Sequence, residues 1–189
     1  MALLTRAALT ALVAVVVFGA SAPVSAAVIA QAITEAQVKA GFLYNFAMFV
    51  EWPPPAKPNA PLVVAILGEE RFADALRAIE GRVVNGRPIA VRFVDESDDL
   101  TACAILFVGA PDDRTAAAVL SRVGDSPVLT VGEAGRFTQL GGIVRLYTEH
   151  AKLRFEINLS RSQRVNLRIN SRLLSLARIV KDSHVVRIP

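Results

Sequence analysis

LVVAILG at residues 62–68, running directly into EERFADALRAIE at residues 69–80, is the stretch whose reading decides the fold. The apolar run from Leu62 to Leu67, rich in valine and isoleucine, has the length and composition of a strand buried on both faces, and Gly68 ends it. The residues that follow place Phe72, Leu76 and Ile79 on one helical face, with Glu69 and Glu70 in the first turn where acids suit the helix dipole. A strand leading at once into a helix is one α/β unit, and the pattern repeats. Asn85-Gly86 is a turn signal before a strand at residues 89–94, residues 104–108 make a third strand, and Pro111 precedes a helix at residues 112–123. Residues 128–131 make a fourth strand. This alternation predicts an α/β fold with a largely parallel central sheet flanked by helices.

Upstream lies VKAGFLYNFAMFVEWP, residues 38–53, which holds five of the twelve aromatic residues: Phe42, Tyr44, Phe46, Phe49 and the single tryptophan, Trp52. Val38, Phe42, Phe46 and Phe49 recur at helical spacing, with Leu43 and Val50 widening the stripe. Pro53, Pro54 and Pro55 cannot continue a helix, so the spacing predicts a helix ending near Trp52. Its apolar run is too short to span a bilayer. Downstream, residues 143–147 and 153–158 read as a C-terminal hairpin preceded by a Gly141-Gly142 turn. Ser171 is placed to cap a final helix with Leu173, Leu176 and Val180 facing the core, and residues 165–169 read as helix or as a short extended link. No internal repeat and no low-complexity linker interrupts this single domain, apart from the proline-rich turn.

The extreme N-terminus has the three-part plan of a secretory signal: Arg6, an apolar stretch at residues 7–20, and a small-residue exit with Val24 and Ala26 at the −3 and −1 positions. Residues 1–26 are therefore read as a cleaved signal peptide, leaving enough chain for one core. Cys103, the only cysteine, can form no intramolecular disulfide and sits in an apolar run where a buried, inert thiol is expected. Charge divides unevenly. Residues 27–144 hold ten Lys/Arg against fourteen Asp/Glu, whereas residues 145–189 hold ten against three. An exported chain whose basic region lacks interleaved aromatics is not expected to bind nucleic acid. A solvated basic face and a surface for an acidic partner or anionic headgroups both fit this distribution.

Catalytic chemistry is hard to find. Gly68 alone is no dinucleotide fingerprint, and no Gly-Lys-Ser/Thr phosphate loop exists. Gly124-Asp125-Ser126 has the composition of an esterase nucleophile block, but Ser126-Pro127 leads into a strand where that chemistry needs a helix, so a turn is expected. His150, in the hairpin turn, and His184, near the end, lack partners at metal-binding spacing. Asp98-Asp99 and Asp112-Asp113 are adjacent pairs suited to loops and helix starts. The expectation is a protein that is not an enzyme and uses no cofactor or metal.

Five blocks in order resemble the YfiR family of exported bacterial regulators: residues 38–53, VAILG at 64–68, CAILF at 103–107, GGI at 141–143 with RFEINL at 154–159, and SRLLSLA at 171–177. The resemblance covers most of residues 33–182, taken as the domain, with 183–189 expected to be a flexible tail. It implies a periplasmic α/β protein, often a homodimer, that represses an inner-membrane diguanylate cyclase through the periplasmic part of that enzyme, and so affects cyclic di-GMP signalling and biofilm formation. A sensor kinase is the other partner to be weighed, and no membrane-integral segment remains after signal cleavage. The best-known members use intramolecular disulfides for redox sensing; with Cys103 alone, this chain departs from that pattern. The resemblance assigns no interface residues. Charge and composition nominate Arg154, Arg161, Arg164, Arg168 and Arg172, with Glu156 as counter-charge, and Tyr44 and Trp52 on the aromatic helix. The alternative is a periplasmic small-molecule binding module coupled to a membrane sensor, with its ligand at the carboxyl ends of the strands near Gly68 and Gly109.

Overall fold

A computed structural model of the chain describes residues 34–55, 57, 59–68, 72–110 and 112–180. The expected signal peptide (1–26), the tail (183–189), His184 and the start of the helix expected from Glu69 lie outside the described residues.

Helix α1 (Glu35–Phe49) opens on a reciprocal cap. The Thr34 hydroxyl accepts from the Gln37 amide at 3.2 Å, and the Gln37 side chain accepts from the Thr34 amide at 2.8 Å. Its core side is Ala40, Leu43, Phe46 and Ala47, continued by Val50. The apolar stripe is thus rotated from the one the spacing predicts: Val38 is exposed, and Phe42 and Phe49 are half-buried. A helix apolar on nearly every side leaves its orientation to tertiary packing. Here Phe42 and Phe46 both meet the edge of Phe155, at ring-centroid distances of 5.4 and 5.5 Å. Lys39, on the same buried side, places Nζ 2.9 Å from both Glu35 and Glu133. Burial lowers the Lys39 pKa, but the two carboxylates outweigh it and hold the group above its ordinary value.

The helix ends earlier than expected, at Phe49. The proline rule constrains only Trp52, while Val50 and Glu51 gain a ladder by leaving the helix: as strand β1 (Val50–Glu51) they pair antiparallel with β9 (Arg168–Ile169). The Trp52 Nε1–H then donates to the Ala104 carbonyl at 2.9 Å.

The remaining elements are β2 (Leu62–Leu67), α2 (Ala73–Leu76), β3 (Val83–Val84), β4 (Arg87–Val94), β5 (Ile105–Val108), α3 (Asp113–Val123), β6 (Leu129–Gly132), β7 (Val144–Glu149), β8 (Lys152–Asn158), α4 (Leu159–Arg164), α5 (Ser171–Leu174) and β10 (Arg178–Val180). Eight strands form one sheet in the order β10-β8-β7-β6-β5-β2-β4-β3. All neighbours run parallel except the β3/β4 and β7/β8 pairs. Alternate residues of the central strands feed two cores. Val64, Ile66, Ile105, Phe107, Leu129 and Val131 pack with α1 and α2, whereas Ala65, Leu67, Leu106 and Val108 pack with Ala116, Val119, Leu120 and Val123 of α3. Burial on both faces is why these strands read as unbroken apolar runs.

Two C-terminal expectations change. Asn170, not Ser171, caps α5, which lasts one turn. Leu173 is buried, but Leu176 is 72% exposed and Val180 belongs to a strand. The chain unwinds after α5 because Arg178–Val180 gains parallel pairing with β8, and the β-branched Ile179 and Val180 suit that geometry. The ambiguous link at 165–169 resolves in part as β9. The predicted hairpin is present, longer than expected, and turns on His150 and Ala151 with φ of 49° and 58°. Among the described residues no helix is long and apolar enough to cross a membrane.

The loop between β6 and β7 folds back on the sheet through Phe137, which is fully buried. Its ring lies between Gly132 and Gly142, and a Cβ at either position would collide with it. Gly142→Ala is therefore expected to destabilise the domain by about 1–3 kcal/mol, the range for overpacking a filled core. Gly135→Ala, at an open position in the same loop, provides the control. Urea midpoints of the two variants measure the difference, and equal midpoints would contradict the packing.

Candidate functional site

A groove opens where the exit of α1 meets the C-terminal third of the chain. One wall is the segment Glu51, Trp52, Pro53 and Pro54; the other is Gln163 at the end of α4, then Asn166, Leu167 and Arg168 leading into β9. Its volume is about 570 Å³, and it is broadly open to solvent. Each wall has a clear local origin. The indole is fixed by its bond to Ala104, and the following prolines cannot extend β1. Opposite, Asn166 takes the left-handed conformation at φ 58°, and its N–H donates to the Gln163 carbonyl at 3.0 Å, closing the helix end. Glu51 and Arg168 are direct cross-strand partners, yet no ion pair joins them. Trp52 and Arg168, two of the nominated residues, are thus brought together.

The other nominated residues scatter. Arg164 ends α4 and Arg172 lies in the first turn of α5, both exposed. Arg154, on β8, sits 3.9 Å from Glu149, with both side chains about half exposed (53% and 49%). Tyr44 is half-buried beneath the Arg82 guanidinium, 5.0 Å from ring centroid to Cζ. Arg161 is turned inward: its side chain is 14% exposed and donates to Asp125 at 2.6 Å and to the Gly124 carbonyl. The Gly124-Asp125-Ser126 block is accordingly a turn that receives this arginine.

Glu156 is buried beside a residue the sequence reading passed over, Arg145. The two are opposed in the β7/β8 register, and Arg145 Nε and Nη2 donate to the two carboxylate oxygens at 2.9 and 3.1 Å. The Thr138 hydroxyl adds a third bond at 2.7 Å. Burial raises the Glu156 pKa, but the hydrogen bonds from Arg145 and Thr138 outweigh it and hold the carboxyl below its ordinary value. Pairing the two hairpin strands on paper would have placed these charges opposite each other. Gln163, Asn166 and Glu51 carried no sequence signal, because nothing local marks a wall formed by distant segments.

Other candidate chemistry resolves as structure. Asp112 caps α3, its carboxylate accepting from the Thr115 amide at 2.8 Å. Asp99 accepts from Thr101 within its loop. Cys103 is half-buried, and burial, with Asp99 nearby, pushes its pKa up to about 12, so it remains a thiol. Among the described residues no cluster of His, Cys, Asp or Glu is placed to hold a metal ion.

A family model described as YfiR/HmsC-like matches residues 36–178. The matched span runs from α1 to the first residue of β10 and takes in both walls of the groove, the Arg145–Glu156 pair and all eight nominated residues.

Two outcomes follow from these environments. With its folded pKa depressed, Glu156 contributes stability that is fully present above its unfolded value of about 4.5 and lost as pH falls through the lower folded value. Glu156→Gln, which leaves Arg145 without its counter-charge, is expected to cost about 3 kcal/mol at neutral pH. That cost should shrink as acid protonates the wild-type carboxyl; a gap between urea midpoints that stays constant from neutral pH to pH about 3 would contradict the assignment. Cys103 should react slowly with DTNB in the native protein and quickly in urea, and equal rates would show an accessible thiolate.

Proposed function

The chain belongs to the YfiR/HmsC-like family, and on that premise we propose that it is an exported regulatory binding protein, released to the periplasm by cleavage of residues 1–26, which docks on the periplasmic part of an inner-membrane diguanylate cyclase and represses it. The observation that carries the docking surface is the stretch from Arg168 to Ile179. Leu173 is its only fully buried side chain. Arg168, Arg172 and Arg178 are exposed, and among the described residues none has a carboxylate within ion-pair distance. Between Arg172 and Arg178, Leu176 is 72% exposed. Arginines interspersed with exposed apolar residues are the composition from which interface hot spots are built, and the sign selects an acidic partner.

Repression of this kind needs no chemistry from the chain. It needs tighter binding to the inactive state of the cyclase than to the active one, since only differential affinity moves a two-state equilibrium. Moving the enzyme from about 99% active to about 99% inactive requires roughly a 10⁴-fold preference. Charge pairs at the rim would set the association rate and make it sensitive to salt.

The double variant Arg168→Glu/Arg172→Glu is expected to bind the periplasmic part of the cyclase at least about 100-fold more weakly, some 2.8 kcal/mol, in a pull-down or by interferometry. Its thermal midpoint should fall only slightly: both side chains are exposed, and the one new repulsion is that between the Arg168→Glu carboxylate and Glu51 across the β1/β9 ladder. Cellular cyclic di-GMP should rise to the level of a deletion strain. Undiminished binding would refute this surface, and an unchanged cyclic di-GMP level in the deletion strain would refute the repressor reading itself.

A further inference from the structure

The groove between the Trp52 wall and Asn166 carries chemistry that protein docking, which shares only Arg168 with it, does not use. We propose that it is a saccharide site, taking one or two neutral or acetamido sugar units. This goes beyond the repressor reading and does not depend on it.

The Trp52 wall supplies an apolar plate. The indole packs partly against the core, and its one polar handle, Nε1–H, is already bonded to the Ala104 carbonyl, so the ring is held in place and only carbon is left for the groove it borders. A rigid ring loses little entropy on contact with the C–H face of a pyranose. Pro53 beside it is rigid too and has no N–H to offer. That feature argues against an extended peptide adding to β1 as a further strand, because ladder pairing needs main-chain donors on that wall.

The facing wall supplies polar groups suited to hydroxyls. Gln163 and Asn166 each carry a carboxamide that donates and accepts, as a sugar hydroxyl does. Glu51 adds an acceptor and Arg168 a planar donor, and as cross-strand partners their side chains leave the ribbon on the same face. Among the described residues none of these four side chains finds a hydrogen-bond or ion-pair partner. The mixed sign matters. Glu51 disfavours phosphate and Arg168 disfavours an ammonium group, whereas an uncharged polyol can use both. The volume of about 570 Å³ falls within the range of small-ligand sites, and the open top leaves room for a chain to continue beyond the bound units.

Because Trp52 is the only tryptophan, its fluorescence reports occupancy directly. The full mature chain would be titrated with N,N′-diacetylchitobiose and with cellobiose, and with glutamine as a zwitterionic control. A saturable change with at least one disaccharide is expected, weakened at least about 10-fold in Gln163→Ala/Asn166→Gly, where glycine keeps the left-handed backbone at 166 and Trp52 is untouched. The variant's thermal midpoint should match the parent's. Co-sedimentation with purified sacculi then separates a cell-wall glycan from a free sugar, either source supporting the site. Absence of a saturable change with both disaccharides, an unaltered response in the double variant, or an equal response to glutamine would each overturn the proposal.

Discussion

A parallel sheet must be covered on both faces, and the rest of this molecule is arranged around that requirement. On one face α1 supplies most of the cover, laying Leu43 and Phe46, both fully buried, against the central strands and Phe155. Each such side chain contributes about 1.5–3 kcal/mol by leaving water. On the other face α3 covers β2 and β5, and the loop after β6 adds Phe137. Phe137 fits only because Gly132 and Gly142 leave room for its ring. The family-like glycine pair at 141–142 thus has a packing origin in its second member.

The groove follows from how α1 is fastened. Lys39 bonds to Glu133 near one end, and at the other the chain is pinned by the β1/β9 ladder and by Trp52 on Ala104. Fastening a helix across a sheet in this way brings residues 51–54 alongside the C-terminal third, and the prolines keep the two segments from zipping further together. A cleft bordered by polar groups without partners among the described residues is what remains. It forms at a seam between distant segments, unlike the crevice at strand carboxyl ends that the α/β pattern alone suggests, where Gly68 already approaches the Gly109 carbonyl closely.

Elements with local signals were legible. The runs at Leu62–Leu67 and Ile105–Val108, the helix at Asp113–Val123 and the hairpin were readable because length, periodicity and turn chemistry agree there. The end of α1, the short α5 and strand β10 were not, since each is decided by pairing with a strand far away in sequence. The orientation of α1 escaped for a related reason: an aromatic-rich helix has several apolar sides, and only Phe155 and the sheet choose among them. Trp52 and Arg168 were nominated separately from aromatic content and charge, and nothing in the sequence placed them on facing walls.

Net charge misled more subtly. The C-terminal excess of cations suggested one basic face, but the arginines do two kinds of work. Arg145 and Arg161 turn inward to Glu156 and Asp125, and in the buried Arg145–Glu156 pair removing either partner leaves a charge poorly compensated, whereas Arg168, Arg172 and Arg178 remain at the surface. Only the second group can contribute to steering a partner. Arg168 also borders the groove, so the two proposed surfaces share a residue. A sugar that engages its guanidinium weakens docking, and docking weakens the sugar by the same factor, because coupling between two binding sites is reciprocal.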